Sequence, residues 1–291
     1  NFLRVPLPNL QFIPTQSAKI NQSITLNASQ WVNKTGIKKI LSKFYHQFFL
    51  SSSNEVERTS NKFSLNPFIS DTNNQIRINY AIKNSLYFNR GLQKYSTTYT
   101  FARTENKQQY SIGSQDTDIK YQQIDFQHKV GKFWLVDLQG KLSENNLETE
   151  NFNNRNYEIN TYAFQPKISY VLDNDNRFSA FYHVKDKKNN LSEFEKLKQQ
   201  KIGIEYFYQK KTTTQFNANF TTFFNDFDGN PNSPVGYQML EGLQEGTNYT
   251  WTFLWSKKLN SYLNLNLNYK GRKSLNSKTI HTGSINLKAI F

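Results

Sequence analysis

The sequence predicts an all-β fold, a transmembrane antiparallel up-and-down β-barrel of about 14 strands, within roughly 12–16, with both termini periplasmic. Three observations predict it. Apolar and polar residues alternate along many separate stretches. The segments between those stretches are short and long by turns. The chain is also polar overall, with a mean hydropathy of -0.74, yet it carries 24 Phe, 17 Tyr and 4 Trp among 291 residues. Disordered chains lack such rings, so something must cover them. Residues 1–18 read as a linker or periplasmic extension, because "NFLRVPLPNLQFIPTQ" holds Pro6, Pro8 and Pro14. Residues 19–291 read as the barrel.

Taken in order, "INQSITLNASQW", "IKKILSKFYHQFFLSS" and "KFSLNPFIS" are plausible strands with a weak pattern. From residue 75 the alternation is firm, with strands near 75–88, 94–106, 118–130, 133–145, 157–172, 176–187, 199–210, 213–227, 248–259, 261–273 and 279–291. "FWLVDLQGKLSE" sets Trp134, Val136, Leu138 and Leu142 against Asp137, Gln139 and Lys141. "NRFSAFYHVKD" sets Phe178, Ala180, Tyr182 and Val184 against Arg177, Ser179, His183 and Lys185. "KIGIEYFYQ" sets Ile202, Ile204, Tyr206 and Tyr208 against Gly203 and Glu205. "TQFNANFTTFF" and "NYTWTFLWSKK" repeat the rule with Phe216, Ala218 and Phe220, then with Tyr249, Trp251, Phe253 and Trp255. "SYLNLNLNYKGRK" puts Leu263, Leu265, Leu267 and Tyr269 on one face and Asn264, Asn266, Asn268, Lys270 and Arg272 on the other. A period of two gives one apolar and one polar face.

Short turns fall at "KVGKF", "VLDNDNR", "QKKTTT" and "KKLNSY". Long polar stretches fall between them, which is the periplasmic-turn and extracellular-loop habit of outer-membrane barrels. A soluble β-sandwich is the rival fold, but it has no reason to alternate its loop lengths. A β-solenoid would need a fixed repeat period, which is not present. No run approaches the ~20 apolar residues of a membrane helix. The chain opens on Asn1 with neither a Met nor a charged-then-apolar leader, so it reads as the C-terminal portion of something longer.

"INLKAIF" places Ile285, Leu287, Ala289 and Phe291 on one stripe. The stripe would face lipid in a closing strand. It also resembles the C-terminal signal that the barrel-assembly machinery reads, with Ala289 where an aromatic is commoner. Ile285, Leu287 and Phe291 are its expected determinants. Four longer phrases resemble the C-terminal barrel region of a family of large Bacteroidota outer-membrane proteins: "LYFNRGLQKYSTTYTF", "NFNNRNYEINTYAFQPKISYV", "VGYQMLEGLQEGTNYTWTFLWSKKL" and "LNLNYKGRKSLNSKTIHTGSINLKAIF". The resemblance spans residue 74 to the end. It implies integral outer-membrane location and upstream domains rather than a chemistry.

The chain has no cysteine, which excludes disulfides and thiolate metal sites. No cofactor is expected. The four histidines, His46, His128, His183 and His281, show no metal-ligand spacing. A Ser–His site would need a serine beside one of them, and His281 and Ser284 fall on opposite faces. "DFDGNPN" spaces Asp226, Asp228, Asn230 and Asn232 like a calcium loop, but Tyr237 stands where the closing Glu belongs. A polar extracellular loop is the simpler reading.

The formal net charge is +14. Lys141, Arg177, Lys185, Lys270, Arg272 and Lys288 all fall on polar faces, hence on the lumen or its rims. A cationic lumen favours anions, and basic groups near the outer rim suit lipopolysaccharide phosphates. The basic residues are dispersed, so nucleic acid is not an expected partner. Expected partners are outer-membrane lipid and lipopolysaccharide, the barrel-assembly machinery, and other outer-membrane or periplasmic proteins. The family resemblance favours a membrane-embedded component of a protein export or outer-membrane assembly complex. A pore or transporter for small anionic solutes is the alternative, and an enzyme in the barrel wall ranks third, so no catalysis is expected.

Overall fold

A computed structural model describes residues 15–30, 32, 37–57, 75–91, 94–110, 113–191, 195–211, 213–275 and 277–289. The described strands are β1 (Thr15–Asn27), β2 (Phe44–Glu57), β3 (Gln75–Phe88), β4 (Tyr95–Tyr110), β5 (Gly113–Val130), β6 (Trp134–Thr149), β7 (Tyr157–Val171), β8 (Asn176–Asn189), β9 (Lys196–Lys210), β10 (Thr214–Asp228), β11 (Gly246–Lys258), β12 (Leu263–Ser274) and β13 (Ile280–Ala289). Two short helices interrupt them, α1 (Ile37–Leu41) and α2 (Pro234–Met239). The strands form one sheet in sequence order from β1 to β13, and every pair is antiparallel. This is the up-and-down barrel topology that the alternation predicts.

Three details differ from expectation. Thirteen strands are described, inside the expected range of roughly 12–16 but odd where an even count was expected. An odd count makes β1 and β13 run the same way, so Thr15 and Ala289 lie at opposite rims. The strand expected across "IKKILSKFYHQFFLSS" starts late, because Ile37–Leu41 coil into α1 and β2 begins at Phe44. Residues 15–18, expected in the linker, already pair with β2. Residues 1–14, the "KFSLNPFIS" stretch and Phe291 lie outside the described residues.

Connections 131–133, 172–175, 211–213 and 259–262 gather at one rim, which we call the short-turn rim. Connections 150–156, 190–195 and 229–245 gather at the other. The 28–43 connection, which carries α1, breaks the rule at the short-turn rim.

The two faces differ in chemistry. The outward face is apolar and open to its surroundings. Ile204 is 60% exposed at the middle of β9, and Phe178, Phe220, Phe253 and Ile168 are exposed around it. Aromatic contacts cross this face toward the short-turn rim: Trp134–Tyr170 at 4.9 Å, Phe178–Tyr206 at 4.6 Å, Tyr206–Phe216 at 5.9 Å and Phe216–Phe253 at 6.1 Å between ring centres. Such rings form the interfacial girdle of a membrane barrel.

On β4–β6 the outward face turns charged toward the long-loop rim. The Arg103 guanidinium donates from Nε and Nη2 to the two Asp118 carboxylate oxygens at 3.0 and 3.1 Å. The Lys120 Nζ lies 3.3 Å from Asp118 and 3.9 Å from Glu144. A tilted strand needs only ~9–11 residues to cross a bilayer. β5 has 18, so its excess carries this charged patch beyond the hydrocarbon.

The inward face is polar and laddered. Gln139 and Gln123 donate to Asp125, and Gln127 donates to Asp137. The Ser169 and Ser179 hydroxyls lie 2.9 Å apart. Lys167 pairs with Glu205, which also accepts from Asn219. Pro166 sits mid-strand, where it cannot donate to the ladder, and the pairing of β7 with β8 skips it.

Candidate functional site: the lumen beneath an inward-folded loop

The loop at residues 229–245 does not extend away from the barrel. Its helix α2 packs on the inner wall. Val235, Met239 and Leu240 join Tyr157 and Ile159 of β7, Leu197 of β9 and Phe227 of β10 in one buried cluster, with Leu147 of β6 against it. Met239 and Leu240 are essentially inaccessible. Burial of a side chain of this size stabilises by about 1.5–3 kcal/mol, so these residues offset part of the conformational entropy lost in ordering the loop.

Local chemistry shapes the loop. Ser233 caps α2, its Oγ accepting from the Gly236 amide at 2.9 Å, with Pro234 at the first helical turn. A Cβ at Gly236 would stand 2.1 Å from the Asn230 carbonyl oxygen, so only glycine fits there. After α2 the chain turns through Glu241 at φ 56° and Gly242 at φ 73°. A non-glycine residue in this region costs about 1–3 kcal/mol and persists where surroundings impose it.

What they impose is an ion-pair clamp. Glu241 Oε1 accepts from Lys185 Nζ at 2.7 Å and from Lys187 Nζ at 2.8 Å. Lys187 also donates to the Met239 carbonyl at 2.8 Å. Burial pushes the Glu241 carboxyl pKa up, but the Lys187 and Lys185 ammonium groups together lower it further, leaving it at about 2. Arg272 Nη1 holds the far side of the turn through the Gly242 carbonyl at 3.2 Å. At the loop's exit, Asn248 is fully buried, accepting from the Gln244 amide and donating to the carbonyls of Gln244 and Gly246.

Beneath the loop lies a lumenal cavity of about 410 Å³, lined by Lys141, His183, Lys185, Lys187, Lys201 and Glu241 among others. Of the six basic residues read from sequence, the structure brings Lys141 and Lys185 together here and sets Arg272 on the loop's other flank. Arg177 stands apart, its guanidinium 5.2 Å from the Phe207 ring. Lys270 and Lys288 lie across from Thr252 and Asn264, on the polar face of the last strands. Lys187, Lys201 and Glu241 were not singled out from the sequence. The signals existed: Lys187 and Lys201 continue the odd-numbered inward rows of β8 and β9. The spacing of Val235, Met239 and Leu240 marks an apolar helical face inside a polar loop.

The other candidates resolve into structure. Tyr269 Oη and His281 Nδ1 lie 2.8 Å apart on the outward face, and Ser284 points the other way. His128 stacks on Phe126. Asp226 and Asp228 belong to β10. Asn230 is engaged in the turn, its side chain accepting from the Asn232 amide and its carbonyl from Ser233. Of the expected C-terminal determinants, Ile285 and Leu287 form the outward stripe of β13, Ile285 being 71% exposed.

No protein-family model and no curated protein sequence matches the chain. Solved structures similar to it are outer-membrane barrels. A NanC porin is 10% identical, at a TM-score of 0.40 over 74% of this chain and 98% of that one. A loop-deleted OmpT, an outer membrane protein of Vibrio cholerae, is 8% identical, at a TM-score of 0.42 over 94% and 99%. The translocator domain of the autotransporter NalP from Neisseria meningitidis is 9% identical, at a TM-score of 0.33 over 95% and 88%. Independently of these likenesses, a meander with an exposed apolar girdle outside and a polar ladder inside is an integral barrel of the outer-membrane kind.

Proposed function

We propose that the chain forms an outer-membrane pore that admits small anionic solutes past a narrowed mouth. One observation carries this reading: Lys141, Lys185, Lys187 and Lys201 face a single lumenal cavity whose one ionised acid is Glu241. Cationic constrictions select anions in channels. The reading requires no catalytic step and no cofactor. Its test is the reversal potential of the purified protein in a planar bilayer under a KCl gradient. Stable current with chloride permeating better than potassium supports the reading. Absence of current, or cation preference, overturns it.

A second reading keeps the barrel as a membrane-embedded component of a protein export or outer-membrane assembly complex. Two features support it: the Bacteroidota family resemblance, and the two edges of the described sheet. β1 and β13 each pair with one neighbour only, and an unpaired edge accepts a partner's strand. Cross-linking in native outer membranes from cysteines placed at 285 and 287 tests it, since specific adducts to one partner protein support it. In either reading, the charged patch around Arg103 and Lys120 would meet lipopolysaccharide headgroups.

A further inference from the structure

Resting on the pore reading, we propose that the cavity beneath the 229–245 loop binds a small solute carrying carboxylate or phosphate groups. Lys141, Lys185 and Lys201 hold it, and it displaces the Glu241 carboxylate.

The cavity has donors in excess. Lys185 and Lys187 share one carboxylate oxygen. Lys141 and Lys201 have no carboxylate within ion-pair distance among the described residues. Aromatic faces hold both in place. The Lys141 ammonium lies 4.4 Å from the Tyr121 ring, and that of Lys201 lies 5.5 Å from Phe181 and 5.8 Å from Phe223. Ring faces orient an ammonium without neutralising it. The wall adds His183, only 7% exposed, whose Nδ1 has no hydrogen-bond partner. Buried polar groups normally have partners, so an orphan in a cavity wall points to a missing one.

The chemistry that completes such a site is an oxyanion, which accepts charge-assisted hydrogen bonds from several ammonium groups at once. A cavity of about 410 Å³ suits a small organic acid or sugar phosphate rather than a polymer. Glu241 shows the mode of binding, since its carboxylate already occupies part of the site. A solute carboxylate or phosphate bridging Lys185 and Lys201 competes with it for Lys185.

The test is calorimetric titration of the full chain, refolded in detergent, with citrate, inorganic phosphate and neutral glucose. The Lys141→Gln/Lys201→Gln double variant, Glu241→Gln, and Lys132→Gln, in the exposed 131–133 turn at the far rim, are titrated in parallel. Heat-modifiable migration on gels confirms that each is folded. The expected result is saturable binding of at least one anion and none of glucose. Binding weakens about tenfold or more in the double variant, where two charge-assisted bonds are lost. It is unchanged in Lys132→Gln and tighter in Glu241→Gln, where the internal competitor is gone. Citrate alone assigns a carboxylate solute, and phosphate alone a phosphorylated one. Absence of saturable binding, or equal affinity in wild type and double variant, overturns the site. The same samples are measured in planar bilayers, so anion-selective current without binding rejects the site and leaves the pore reading standing. Binding without current does the reverse.

Discussion

Trp251 lies across Gly271. The two are cross-strand partners on the outward face of β11 and β12, and a Cβ added at Gly271 would fall 2.1–2.3 Å from three indole atoms. The ring occupies the place of a side chain on the neighbouring strand. Gly271→Ala should therefore expel the indole and destabilise the folded barrel by about 1–3 kcal/mol, the usual cost of overpacking. Urea unfolding in detergent, followed by tryptophan emission, measures it. An unchanged midpoint would mean that the indole moves aside freely.

Adjacent residues of β12 should respond oppositely to the same charge. Leu267 faces outward with Ile285 and Trp255 as its cross-strand partners, whereas Asn266 faces inward. Leu267→Arg should impair membrane insertion, since an arginine on the lipid face costs ~2–4 kcal/mol at the midplane. Asn266→Arg should insert normally. Folded fractions after refolding into lipid vesicles compare them, and equal losses would reverse the assignment of faces.

The mouth loop should loosen in acid. Glu241 has its carboxyl pKa lowered from 4.5 to about 2 in the folded state. A depressed acid stabilises fully above its unfolded pKa, and that contribution disappears as pH falls through the folded value. The clamp is therefore intact above about pH 4.5 and weakens down to about pH 2. Pepsin, active across this window, should cut within 229–245 faster as pH drops. Glu241→Gln should be cut at a rate with a flatter pH profile. Identical profiles would show that the carboxylate does not hold the loop.

The last strand offers a test in cells. If Ile285, Leu287 and Phe291 are read by the assembly machinery, replacing Phe291 with Asn should lower the amount of barrel in the outer membrane. Refolding in detergent should be nearly unaffected. Loss in both settings would indicate plain destabilisation instead.

The strands from β3 onward were legible because a half-buried wall enforces a period of two, and "LNLNLN" in β12 shows it without interruption. The face of each strand was legible for the same reason, and it is the alternation that sets Lys141, Lys185 and Arg272 on the polar face. The start of β2 was not, since "IKKIL" suits one helical turn as well as an extended start. The clamp was hidden for a different reason. Glu241 reaches Lys185 and Lys187 across more than fifty residues, and strand alternation says nothing about which way a loop folds. Only the apolar spacing of Val235, Met239 and Leu240 hinted that this loop turns inward.

Because each described strand bonds only to its neighbours in sequence, the wall is divisible. Excising β4 and β5 with their turn would bring β3 beside β6 in the same antiparallel sense, with inside and outside preserved. The 229–245 loop rests on β6–β10 and β12, so its supports would remain. Width and mouth are thus carried by different parts of the chain. Hairpins near the N-terminal side can be gained or lost to change the bore while the C-terminal strands keep the loop and its Glu241 clamp, although losing β5 removes the Tyr121 ring that faces Lys141.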